Sequence, residues 1–169
     1  SWEWHTPVSV AAMRAGKYAA TEVPAALTLE ECWQLVKASE ETSVPCMMLE
    51  NVNYFRNVML VLNMVRLGLF GEIVHAAGGY QHDTRFLAFE SAGGMAWRER
   101  HAQVLNGNAY PTHPIGPIAR WMNIHRGDRF ARLVSMSTVS RGLNTYAARK
   151  FGASDARATA RYAQGDVNT

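Results

Sequence analysis

The stretch Val44-Pro-Cys-Met-Met-Leu-Glu-Asn51 decides how the chain is read. It is a continuous apolar run closed by a carboxylate and an amide. That is the pattern of a strand buried on both faces of a parallel sheet, with polar groups at its carboxyl end. Thr28, followed three residues later by Glu31, is a capping box. It opens a helix expected to run to about Glu41 with Leu29, Cys32, Trp33, Leu35 and Val36 turned inward. Further upstream, residues 17–22 read as a short strand stopped by Pro24. Thr6 reads as the cap of a helix that has Pro7 in its first turn and Gly16 at its end. Helix, strand, helix, strand with short connections is half of a doubly wound α/β sheet. In such sheets ligands bind beyond the carboxyl ends of the strands. Glu22 and Val23, Glu50 and Asn51, and Trp2, Trp4 and His5 just before the first helix all fall on that rim.

From residue 53 the pattern changes. Residues 54–67 form an amphipathic helix rich in Met, Leu and Val, ended by Gly68, and its methionines read as core filling. Residues 72–82 read as a strand that carries Tyr80 and His82 on one side by its period of two. Residues 83–95, with Gly93-Gly94, read as an irregular loop and 97–101 as a polar stretch. A helix near 117–123, a strand over 129–138 and a helix over 145–151 complete the series. Strands without regular crossover helices predict an open, mostly antiparallel sheet. The expected fold class is therefore α/β: the second half of a Rossmann-type parallel-sheet domain over residues 1–52, then an α+β domain over 53–169.

Composition narrows the function classes. With 169 residues, 48% of them hydrophobic, the chain can bury one substantial core or two small ones. The formal charge of +3 is modest and its basic residues are scattered, which speaks against a nucleic-acid interface. The two cysteines, Cys32 and Cys46, lack metal-ligand spacing and read as free buried thiols. No run of about 18 apolar residues is present to span a membrane. The chain opens at Ser1 without an initiator methionine and closes in the polar run Gln164-Gly-Asp-Val-Asn-Thr169, so it is expected to be an interior piece of a longer protein.

The chemistry concentrates in Asn106-Gly-Asn-Ala-Tyr-Pro-Thr-His-Pro-Ile-Gly-Pro117. Here a phenol and an imidazole stand three residues apart on a backbone restricted by three prolines, leading toward a helix start. A Pro- and Gly-rich surface turn has the same composition, and a lone Tyr-x-His such as Tyr80 and His82 is commonly a half-buried sheet pair. Taken together, however, Glu50 at a strand end, two Tyr–His pairs and Arg98 have the make-up of a sugar site with general acid and base capacity. There is no His-Glu-x-x-His or Gly-x-Ser-x-Gly, hence no indication of a metal site or a serine hydrolase. His75, His101 and His125 read as structural.

Several motifs go further. Trp2-Glu-Trp-His5, Ala15-Gly-Lys17, Glu22-Val-Pro-Ala-Ala26, Glu30-Glu-Cys-Trp33, Met48-Leu-Glu-Asn-Val-Asn-Tyr54, Gly79-Tyr-Gln-His-Asp83, Trp97-Arg98 and Asn106-Gly-Asn-Ala-Tyr-Pro-Thr-His113 closely resemble glycoside hydrolase family 109. That family lies within the group of oxidoreductases like glucose–fructose oxidoreductase and inositol dehydrogenase. The resemblance runs to about Tyr146. It implies an NAD-dependent α-N-acetylgalactosaminidase acting on N-acetylgalactosamine-containing glycosides. It further implies that Trp2, Glu3, Trp4, His5, Glu22, Val23 and Asn51 contact the dinucleotide. Tyr80, Arg98, Tyr110, Pro111, Thr112 and His113 would contact the sugar, with Tyr110 also near the nicotinamide. Glu50, Tyr80, His82 and His113 would be the ionisable groups closest to the chemistry. The wider oxidoreductase group usually carries Lys where this chain has Val23, which favours the hydrolase subgroup over a simple polyol dehydrogenase. A sugar oxidoreductase and a non-catalytic folded piece whose exposed sheet face mediates homo-oligomer assembly are the rival readings. Export signals are common in the family, so a periplasmic or secreted parent is compatible with it.

Overall fold

The computed structural model describes residues 1–89 and 96–169. In chain order its elements are α1 (His5–Arg14), β1 (Ala19–Thr21), α2 (Leu29–Thr42), β2 (Cys46–Met48), α3 (Arg56–Arg66), α4 (Arg85–Ala88), α5 (Trp97–Val104), α6 (Thr112–Trp121), α7 (Gly142–Phe151) and α8 (Ala156–Thr159). Single 3-10 turns cover Trp2–Trp4 and Asn51–Tyr54. The chain forms two compact units. One comprises Ser1–Tyr80 with Tyr110–Ala131, the other Gln81–Ala109 with Arg132–Thr169.

In the first unit, β1 and β2 pair in parallel, with Ala19 opposite Cys46 and Thr21 opposite Met48. The parallel pairing read from the apolar run is present, and Leu49 N–H extends it by donating to Thr21 O at 2.8 Å. The capping box also forms. Thr28 Oγ1 accepts from Glu31 N–H at 3.1 Å, while the Glu31 carboxylate reaches back to Leu27 N–H rather than to Thr28. Thr6 does not cap α1. It lies inside the helix, buried, and donates its hydroxyl to Ala25 O at 2.9 Å, tying α1 to the segment after β1. The core beneath is small: Val10, Met13, Ala19 and Ala38, with Leu35, Val44 and Cys46 packed against them.

The inward face expected for α2 is largely exposed. Leu29, Cys32, Trp33 and Val36 point to solvent, and so do Met47 and Met48 of the run expected to be buried on both faces. Burial on a second face needs a second layer, and the described residues place only α1 against this sheet and α2.

The segments expected as strands over 72–82 and 129–138 form no strand of a sheet among the described residues. The end of the second segment makes a short antiparallel contact around a single bridge of Ser137 with Asn168: Met136 and Thr169 exchange N–H···O bonds at 3.0 and 2.9 Å, and Thr138 N–H donates to Val167 O at 3.0 Å. Hence the antiparallel sheet expected after residue 53 is not formed among the described residues. Alternation of apolar and polar residues specifies a chain ready to pair, but the hydrogen-bonding partner comes from elsewhere in the fold. The irregular loop expected over 83–95 contains α4 at its start, and its residues 90–95 with Gly93-Gly94 lie outside the described residues. The polar stretch at 97–101 is helical, as the first part of α5.

The second unit is built on Ala88, Phe89, Ala102, Ala147 and Tyr162, with Leu143, Tyr146 and Phe151 around them. Its helix α7 starts three residues earlier than expected, at Gly142, because Asp166 from the far end of the chain accepts from the Arg141 and Gly142 N–H groups. Among the described residues, no helix is long and apolar enough to cross a membrane.

Met13 and Leu29 separate the two kinds of apolar position in the first unit. Met13→Ala empties a fully buried site and is expected to cost about 2–5 kcal/mol of unfolding free energy. Leu29→Ala, on the exposed start of α2, is expected to change it by less than about 0.5 kcal/mol. Denaturant unfolding of both variants measures the difference.

Candidate active site

The carboxyl ends of β1 and β2 open on the same side of the first unit because the strands are parallel. After β2 the chain turns at Glu50 into the 3-10 turn Asn51–Tyr54, with the Glu50 carboxylate accepting from Val52 N–H at 3.0 Å. Facing it is the first turn of α6. This helix begins at Thr112, five residues before the expected position, so that Thr112 and His113 lie in the helix itself. Pro114 falls in the first turn, where no N–H is required, and Pro117 is accommodated inside the helix.

The central contact joins residues 63 apart in sequence: His113 Nδ1 to Glu50 Oε1 at 2.7 Å. Both side chains are sequestered, with 10% and 4% of their surface exposed. Burial works to raise the Glu50 pKa. Hydrogen bonding to Thr112 and His113, the Val52 N–H and the charge of a protonated His113 outweigh it, so the carboxyl lies below the ordinary glutamate value of 4.5. An ionised carboxylate only accepts, which assigns the proton of the shared bond to Nδ1. In neutral His113 the Nε2 atom is then the one with a lone pair.

Around this pair stand three more of the residues singled out in the sequence. The Tyr80 ring lies 4.4 Å from the His113 ring, and Tyr110 stacks on His113 with centroids 5.5 Å apart and planes 11° from parallel. Trp2 meets the edge of Tyr110 at 5.6 Å. One rim residue is tied to the segment after β1: His5 Nδ1 is 2.8 Å from Pro24 O. Val23 is buried, while Glu3, Trp4, Glu22 and Asn51 are exposed. Pro111 caps α6.

His82 and Arg98 belong to the second unit. His82 is exposed beside Asp83, whose carboxylate is held at about 2 by its two-pronged bond to Arg85. Arg98, in the first turn of α5, lays its guanidinium 4.0 Å from the Trp97 ring. Of the other histidines, His101 contacts the edge of Trp97 and His125 that of Phe130.

Sequence reading missed four supports of the site. Arg120 donates to Asn53 O at 2.9 Å and clamps the turn after Glu50 onto α6. Asn53 itself turns a buried Oδ1 into the same region, against Gly116. Gly78 lets the approach to Tyr80 cross α6 closely, since a Cβ there would stand 3.1 Å from Pro114 Cβ. Gly116 does the same for Glu50. The signal available was a glycine between two prolines in a helical pattern. A cavity of about 280 Å³ in the same unit, lined by Leu62, Val65, Arg66, Arg120, Asn123 and Arg126, is separate from the His113 cluster. Arg66 and Arg120 there occupy the last turns of α3 and α6, where their charge answers the helix dipoles.

A buried carboxylate orienting an imidazole, with two tyrosines against the ring, can accept and donate protons at a substrate's hydroxyl or carbon acid. Comparison with known proteins gives the family. A family model described as the C-terminal domain of glycosyl hydrolase 109 matches residues 54–169. The chain belongs to glycosyl hydrolase family 109. It is 50% identical over 167 residues to a family 109 protein of Solibacter usitatus, covering 99% of this chain and 38% of that protein. To a family 109 protein of Shewanella pealeana it is 49% identical over 169 residues, covering 99% of this chain and 37% of the relative. The chain thus spans less than two fifths of the length of these family 109 relatives.

The Glu50 carboxyl links the site to acid stability. Its folded pKa is depressed, so its contribution is complete above the unfolded value of about 4.5, and is lost as pH falls through the folded value. Glu50→Gln removes that dependence. Its stability, followed by unfolding at pH steps below 5, is expected to fall less steeply with acid than that of the unmodified protein.

Proposed function

We propose that the whole protein is an NAD-dependent α-N-acetylgalactosaminidase. In this reading residues 1–52 are the C-terminal half of the nucleotide-binding domain and residues 53–169 belong to the substrate-binding domain. The observation that carries it is the Glu50–His113–Tyr80 cluster at the carboxyl ends of the parallel strands. Family membership supplies the glycosidase class.

The residues fit the dinucleotide assigned to them. What supports it is that His5 is tied to Pro24, Trp2 meets the edge of Tyr110, and Asn51 follows β2, so that Trp2, Glu3, Trp4, His5, Glu22, Val23, Tyr110 and Asn51 would share one rim. These residues would hold NAD there, as ligand sites lie in α/β sheets. Bound NAD would supply a reversible hydride acceptor for the sugar's C3, which makes the neighbouring C2 proton acidic.

The chain's own groups then divide the proton transfers. His113, held by Glu50 through Nδ1, offers Nε2 to the C3 hydroxyl and takes its proton, with Tyr110 stacked on the ring to keep its orientation. Tyr80 removes the C2 proton, and the C1 substituent departs. The same groups return protons as water adds and C3 is reduced again, so the cycle closes without net oxidation. Pro111 and Thr112 would complete the contacts to the sugar. Two carboxylates flanking the scissile bond, the usual glycosidase arrangement, are not needed on this route.

The test is hydrolysis of p-nitrophenyl α-N-acetylgalactosaminide by the whole protein in deuterated water, with mass spectrometry of the sugar. Release with one deuterium at C2 and no net NADH is expected. Tyr80→Phe is expected to reduce C2 exchange at least about 10²-fold. Release without deuterium would overturn the oxidation–elimination route. NADH formed in proportion to sugar, without release, would replace it with the oxidoreductase reading.

A further inference from the structure

Gly116 lies in the middle of α6, between Ile115 and Pro117, and its backbone is ordinary right-handed helix. Nothing in its conformation calls for glycine, and alanine is the better helix former at such a position. What calls for glycine is the space. A Cβ at residue 116 would stand 2.9 Å from Glu50 Cγ and 3.2 Å from both the Nδ2 and Oδ1 atoms of Asn53. The first distance is closer than carbon atoms approach, and Glu50 has little freedom to yield. Its carboxylate is 4% exposed and is tied at Oε1 to His113 and to Val52 N–H, while Arg120 clamps the Asn53 carbonyl behind it. The missing side chain of Gly116 is therefore the floor on which the Glu50 carboxylate rests.

We propose that Gly116 is a positioning residue: by leaving the α6 surface bare it lets Glu50 reach His113 Nδ1 and hold that ring in the tautomer with a lone pair on Nε2. Gly116 touches neither substrate nor cofactor and acts through Glu50. The inference deepens the functional reading above and rests on it only for its catalytic consequence. The positioning itself is a property of the fold, and it is read without turnover.

The test joins spectroscopy to a double-mutant cycle. In protein labelled with 15N-histidine, the shifts of His113 Nδ1 and Nε2 report which nitrogen carries the proton at neutral pH. Gly116→Ala is expected to move His113 toward the mixed-tautomer pattern that Glu50→Gln also produces, with helix content unchanged by circular dichroism. In the whole protein the same substitution is expected to lower kcat at least tenfold with KM changed less than threefold. If Gly116→Ala is too unstable to label, the cycle decides. Adding Gly116→Ala to Glu50→Ala, which removes the Cγ that the new methyl meets, is expected to leave the melting temperature level or raise it, whereas in the unmodified background it lowers it. Retention of the single Nδ1–H tautomer in Gly116→Ala, or an equal fall in melting temperature in both backgrounds, would overturn the proposal. An altered tautomer with C2 exchange absent even in the unmodified protein would uphold the positioning and remove the glycosidase mechanism.

Discussion

The bond between Glu50 and His113 is the interaction around which the candidate site is arranged. It joins the end of a strand to the beginning of a helix 63 residues away, inside a unit whose apolar core is small. A buried carboxylate is tolerated only where charge-assisted partners replace water, and here Oε1 finds two of them, the imidazole and the Val52 N–H. The turn after the strand, the early start of α6 and the Arg120 clamp all serve to keep those partners within reach.

The surrounding aromatic rings follow from the same constraint. Once His113 is held by its Nδ1, its ring is presented at a defined angle, with Tyr110 nearly parallel to it, Tyr80 tilted against it, and the two tyrosines edge to face with each other at 5.9 Å. Close approach is obtained with glycines rather than with larger core residues. Gly78 and Gly116 each leave out a side chain where another segment must come near, and Gly116 does so at a helix position where glycine costs about 0.5–1 kcal/mol relative to alanine. That cost is local, while the geometry it permits is shared by Glu50, Asn53 and His113.

Several parts of the fold were legible because the forces behind them are local. A Thr and a Glu three apart cap α2 whatever lies beyond it, and glycine at 16 and 68 adopts positive φ after a helix end. The misreadings share the opposite feature. Thr6 looked like a cap but serves a tertiary bond to Ala25, residues 72–82 and 129–138 looked like strands but join no sheet among the described residues, and Leu29, Trp33 and Val36 of α2 looked inward but are bare while Leu35 does pack. In each case periodicity states which residues can be buried or paired and is silent on what arrives to cover them.

The candidate residues divide in the same way. Residue types and their spacing alone determined that a phenol and an imidazole lie three apart near a helix start, that a carboxylate ends an apolar strand, and, through shared motifs, that the chain resembles family 109. Side-chain chemistry and short-range spacing are properties of the string itself. Only the tertiary structure decided that Glu50 is the partner of His113, that Tyr80 and Trp2 join the same cluster, and that Gly116 and Arg120 support it. Those relations depend on which surfaces meet after parallel pairing and helix docking. They are set by packing between segments tens of residues apart, which no local pattern records.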